Sequence, residues 1–259
     1  MPAYAADAGA RAPERLLDPR TCLRLGAALA LAALAIDALG RFTDADLLLA
    51  DMLFDPIARS FPWREAWLTA TLGHQLIKAV LIFLAAFLVM TAIADALRPL
   101  APLDRPYARL RLRVIAWSAL LVPLATSLLK QSSNAHCPWD LARYGGSQPY
   151  IRLFEALPPG ALPGHCLPAG HASSALWLVS LVVLWLPGPG RGAWRAWATA
   201  LAPGLALGWM QQMRGAHFLT HTLWSAWIAC AIVLALVVVL QSSGGTARRA
   251  PAGIRYRAR

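Results

Sequence analysis

Six apolar runs punctuate the chain: Leu23–Leu39, Leu76–Ala94, Val114–Leu129, Ala172–Leu186, Ala196–Met210 and Leu223–Leu240. Each is longer than a globular core strand and lacks the alternation of a half-buried one, so each is read as a helix. A membrane span needs about 20 mostly apolar residues, with a range of about 17–25. Three of the runs reach that length only if flanking polar side chains extend to the headgroups. Pro123 and Pro203 fall inside two of them and are expected to kink those helices. The pattern predicts an all-α integral membrane bundle of six transmembrane helices, since six such runs leave too little polar surface to cover a soluble bundle. The first run has a long basic leader, is interrupted by Asp37 and has no clean cleavage site after it, so it is expected to be a retained helix.

Composition sharpens this picture. Hydrophobic residues make up 58% and charged residues 14%, against about 45–50% and about 25% in soluble domains. That excludes an ordinary soluble enzyme, a disordered chain or a coiled coil. A net charge of +11 would normally suggest nucleic acid, but the placement of the basic residues gives another account. With the N-terminus in the cytoplasm, the inner segments hold 16 arginines against five acidic residues, and the outer segments hold seven of each sign. The surplus is therefore cytoplasmic, as the positive-inside rule expects, and no nucleic-acid partner is needed. The expected organisation is a cytoplasmic tail over 1–20, a membrane domain over 21–241 and a basic cytoplasmic tail over 242–259. The outer loops are expected at 41–73, 130–171 and 211–221.

The six histidines, at positions 74, 136, 165, 171, 217 and 221, all fall in or beside these outer loops. Three clusters share that membrane depth: Lys130 to Asp140, Pro168 to Ser174, and Gln211 to His221. The chemistry suits an anion. Lys130 and Arg214 can neutralise phosphoryl oxygens. Gly170 admits close backbone approach where a helix begins, with free N–H groups facing the ligand. Ser173 and Ser174 add hydroxyl donors or cap the helix. Two histidines offer a nucleophile and an acid. On a continuous helix, Arg214 and His217 would share a face at i, i+3, as would His217 and His221 at i, i+4.

At these residues the sequence resembles the type 2 phosphatidic acid phosphatase superfamily, whose pattern is Lys-x6-Arg-Pro, Pro-Ser-Gly-His and Ser-Arg-x5-His-x3-Asp. Here Lys130 precedes Cys137-Pro138 by the same interval, Pro168-Ala169-Gly170-His171 forms the second motif, and His217 is followed at the same spacing by His221. Cys137, Ala169, Gln211 and His221 stand where the family has Arg, Ser, Arg and Asp. The resemblance covers about residues 75–240 and leaves the 41–73 loop unexplained. It implies a lipid phosphatase of a bacterial inner membrane with its site facing the periplasm. The substrate would be a phosphomonoester or diphosphate of a lipid, with no metal or other cofactor. In that assignment Lys130 binds phosphate, His171 is the general acid and His217 is the nucleophile. Arg214 supplies a guanidinium from another angle, His221 orients His217, and Asp140 substitutes for the lost carboxylate if its loop folds inward. Two alternatives stay open: phosphotransfer between lipids, and a non-catalytic lipid-phosphate binder with a decayed site.

Other readings concern single residues. His217 and His221 with a third histidine would also make a metal set, although no zinc-protease glutamate follows His217. His74 and Lys78 lie one turn apart and are read as interfacial anchors in preference to phosphate contacts. Arg143 is an even choice between replacing the missing first-motif arginine and a solvated loop position. Cys137 and Cys166 are expected to form a disulfide in an oxidising periplasm, closing a loop of about 29 residues. Cys22 and Cys230 read as small apolar residues, and tryptophans near the span ends as interface anchors.

Overall fold

The structure is a computed structural model and describes residues 15–243. The described residues form an all-helical architecture with no strand, only two isolated bridges in the outer loops. The helices are α1 (Pro19–Phe42), α2 (Ala45–Leu53), α3 (Ile77–Leu97), α4 (Ala108–Gln131), α5 (Gly170–Leu176), α6 (Gly190–Met213) and α7 (Leu219–Ser243). Four helical segments are long and apolar enough to cross a membrane: Pro19–Phe42, Leu68–Leu97, Ala108–Gln131 and Leu219–Ser242. Each of the six apolar runs lies on a helix. α6 runs through Pro203 and α4 through Pro123 without interruption.

Gly170–Trp185 has its own way of gaining length. After α5 the chain winds on as a 3-10 helix over Trp177–Trp185. Sixteen α-helical residues would span about 24 Å, and the larger 3-10 rise stretches the segment to about 28 Å. That approaches the roughly 30 Å of a hydrocarbon core. This segment is the centre of the bundle: Ala172, Ala175, Leu176, Trp177 and Val183 are buried against α4, α6 and α7. Gly204 and Gly208 let α6 come close, since a Cβ on Gly204 would strike Leu176 and one on Gly208 would strike Thr222. α1 and α3 sit outside, with Leu31, Leu34, Phe83 and Phe87 more than half exposed, as befits lipid-facing side chains.

Two expectations change here. Residues 15–20 are docked: Leu16 is buried, and Gln241 of α7 accepts from the Leu16 and Leu17 N–H groups at 3.1 and 3.2 Å. The chain therefore enters and leaves the bundle at the same end. The rest of both expected tails lies outside the described residues. The expected outer loop 41–73 is largely structured. It holds α2 and a π-helical stretch, Leu68–Leu76, that runs into α3. α2 packs with segments 54–61 and 139–150 and with Phe218 as a small cap with its own core of Ala50, Phe61, Leu141, Tyr144 and Phe218.

Candidate active site

Three loop segments converge on one end of the bundle, and backbone pairing holds them. Residues 164–166 donate to the carbonyls of 133–135 at 2.9–3.1 Å, Trp139 N–H donates to Gly215 O at 3.0 Å, and Ala169 N–H donates to His221 O at 3.1 Å. A disulfide joins Cys137 to Cys166, with Cα atoms 5.4 Å apart. It ties the segment after Lys130 to the segment before His171.

His217 is 3% exposed beneath this bridge. Its Nδ1 lies 3.4 Å from Cys166 Sγ and 3.5 Å from His221 Nδ1. The Nδ1 edge thus faces the Cys166 sulfur and the His221 ring. Burial holds the His217 imidazole well below the usual histidine range, and the nearby His221, Lys130 and His171 charges push it the same way. The ring is therefore neutral at pH 7 and carries a nitrogen lone pair. Lys130, in the last turn of α4, and His171, in the first turn of α5, add to this effect after burial and His221. The three sequence clusters accordingly meet around one imidazole.

Other expected site residues sit differently. Arg214 and His217 do not share a helix face: α6 ends at Met213, Gly215 takes φ +69, and α7 starts only at Leu219. That turn requires glycine, because Phe61 occupies the place of a Cβ. Arg214 turns toward the cap instead, donating from Nε to Arg64 O at 2.9 Å and from Nη1 to Gln211 Oε1 at 3.2 Å. Ser173 and Ser174 do not cap: their hydroxyls donate to Gly170 O and His171 O, both at 2.7 Å. Gly170 opens α5 as expected, with open space where a Cβ would lie. Arg143 is a cap residue, held to Asp51 by bonds of 2.8 and 2.6 Å. Asp140 accepts from Cys137 N–H at 3.3 Å, stabilising its own 3-10 turn instead of reaching a histidine.

Sequence reasoning missed Asp46 and gave Gln211 and Lys78 no part in the site. Gln211 is 1% exposed and its amide nitrogen has no partner. It occupies the third-motif arginine position, so spacing alone pointed to it. Asp46 is buried in α2 and bonded to Thr220, a link no local pattern announces. Lys78 is half-buried and close enough to Lys130 for their charges to interact, which departs from a purely interfacial anchor. The side chain of His74 lies outside the described residues. Cys137, Cys166 and His217 place ligand-type atoms within 4.8 Å of one another, but sulfurs joined in a disulfide carry no thiolate for a metal.

Residues 111–244, just over half of the chain, match the sequence model of the PAP2 superfamily. The chain belongs to that superfamily, and membership points to a phosphatase-type activity. No curated protein and no solved structure matches it.

Proposed function

We propose that this protein is a membrane lipid phosphatase that hydrolyses a phosphomonoester or diphosphate through a phosphohistidine at the periplasmic face of a bacterial inner membrane. Six spans with both termini cytoplasmic accord with the charge distribution and with the shared exit of residues 16 and 241. The observation that carries the reading is His217. It is a buried neutral imidazole, held along its Nδ1 edge and within the fields of Lys130 and His171.

In this mechanism His217 Nε2 donates its lone pair to phosphorus as the bond to the leaving oxygen breaks. His171 in its protonated form gives that oxygen its proton. Water then attacks the phosphohistidine while neutral His171 removes its proton, and inorganic phosphate leaves. Phosphoryl transfer is mainly positioning and charge stabilisation. Lys130, the open backbone at Gly170 and the unpartnered Gln211 amide provide these, with Arg214 reaching the phosphate only by leaving Arg64. The Ser173 oxygen remains an acceptor.

The test is phosphate release from a panel of lipid phosphates in detergent with chelator, for wild type, His217→Ala and His171→Ala. The expected result is release that survives chelation and falls by about 10³-fold or more in His217→Ala. A wild type that releases nothing from the panel, or a His217→Ala variant that retains full activity, overturns the reading. A phosphorylated lipid product in place of free phosphate would assign transfer instead.

A further inference from the structure

A small cavity lies against His221. Asp46, His136, Tyr150, Phe218, Thr220 and His221 contribute to its wall. Its room for a water centre is about 10 Å³, and one water needs about 10–15 Å³ by that measure. Its polar groups are incompletely satisfied. His136 is 5% exposed and its Nε2 has no partner. Asp46 is 6% exposed, and its carboxylate accepts from Thr220 N–H at 2.9 Å and Thr220 Oγ1–H at 2.5 Å, with the Leu219 N–H as a further donor. A carboxylate has about four acceptor positions, so at least one stays open.

The chemistry at His217 creates a need for this carboxylate. Attack on phosphorus leaves positive charge on the imidazole, which the phosphoryl oxygens offset on one side of the ring, while His221, Lys130 and His171 on the other sides add no negative charge. A buried charge without a counter-charge is costly. Two carboxylates are buried among the described residues, and Asp95 is paired with Arg109 near the inner ends of α3 and α4. Asp46 is the other, and Thr220 fixes it to the chain between the two histidines.

We propose that Asp46 is the remote counter-charge of the His217–His221 pair, acting through one water that bridges its carboxylate, His136 Nε2 and the His221 ring. Asp46 is thus a positioning residue contributed by α2, outside the matched superfamily region. The inference rests on the phosphohistidine reading above. Water has two protons and two lone pairs, enough for all three partners.

The groups facing Asp46 are Thr220 and His221 from α7 and His136 and Tyr150 from the outer loop, with the Asp44–Arg152 pair beside Tyr150 and the Asp140 carboxylate acting on His136. Burial raises the Asp46 carboxyl above the ordinary aspartate value, and burial lowers the His136 imidazole. As pH falls Asp46 gains a proton, its charge disappears and activity should decline.

The experiment uses the full chain in detergent. Asp46→Asn keeps an oxygen for Thr220 N–H and should fold. We expect kcat to fall about tenfold with KM unchanged, well short of the about 10⁴-fold seen when a directly bonded orienting carboxylate is lost. The acid limb of the pH–rate profile should flatten, and Asp46→Glu should restore part of the rate. The ¹⁵N NMR titration of His136 should move to lower pH in Asp46→Asn, a readout that needs no turnover. Wild-type kcat and pH profile in Asp46→Asn, with an unmoved His136 titration, overturn the proposal. If wild type releases no phosphate, the hydrolase reading fails and the His136 titration alone decides the Asp46 link. Should Asp46→Asn not fold, His136→Gln replaces it: a smaller rate loss supports the bridge, and an unchanged rate and profile overturn it.

Discussion

At the end of the bundle that holds Asp95, Arg109 and Gln241, the buried charge is paired. Arg109 pairs with both Asp95 and Asp104 at 3.1 and 2.7 Å, and Arg111 donates to Leu186 O at 2.7 Å where the 3-10 helix stops. At the opposite end Lys130 has no ion pair among the described residues, Lys78 stands near it with like charge, and the Gln211 and His136 side chains each leave a buried nitrogen unpartnered. The cap above that site reverts to pairing, with Arg143 on Asp51 and Arg152 on Asp44. Paired charges and closed helix ends stabilise; unpaired cations and orphaned donors cost stability and persist where a ligand completes them. The contrast supports placing the phosphate of the proposed reaction at the His217 end.

Exchanging the two ends' residues should separate these roles. Lys130→Ala should lower phosphate release by about 10²-fold while the melting temperature holds or rises, because it removes an uncompensated charge. Asp95→Asn should do the opposite, lowering the melting temperature while leaving kcat unchanged. Detergent-solubilised variants compared by phosphate release and thermal unfolding check both, and a stability loss in Lys130→Ala would erase the contrast.

The disulfide joins stability to the site, so Cys137→Ser should affect both. Opening a loop of 29 residues should cost about 3 kcal/mol in the chain-entropy model, and releasing Cys166 from its place beside His217 should reduce kcat. Reductant should reproduce both effects in wild type, measurable in the same assays.

The smallest effect concerns pH. His217 and His136 are held neutral by burial, so their folded values lie below the unfolded one near 6.5. The unfolded state therefore binds more protons as pH falls through about 6.5, and stability is lost by up to about 1.4 kcal/mol per pH unit for each histidine. Thermal unfolding between pH 7 and pH 5 should show this decline, and His136→Gln should make it shallower.

The helices were legible because lipid-facing segments need long apolar runs, a requirement each segment meets on its own. The three segments that carry Lys130, His171 and His217 could be picked out too, since their spacing follows the superfamily pattern. Local geometry defeated other readings. One left-handed glycine, Gly215, breaks the helix that would have put Arg214 beside His217. The Ser173 hydroxyl finds a carbonyl three residues back before any ligand does.

What the sequence by itself determined was the six apolar helical segments and the family, both carried by composition and by spacing along the chain. The tertiary structure alone decided which charges are already neutralised. Arg143 is spent on Asp51, 92 residues away, and Asp46 reaches Thr220 across 174 residues. Such pairings depend on how the cap folds over the bundle. No local pattern encodes them, because the energy of a buried charge depends on what surrounds it in space.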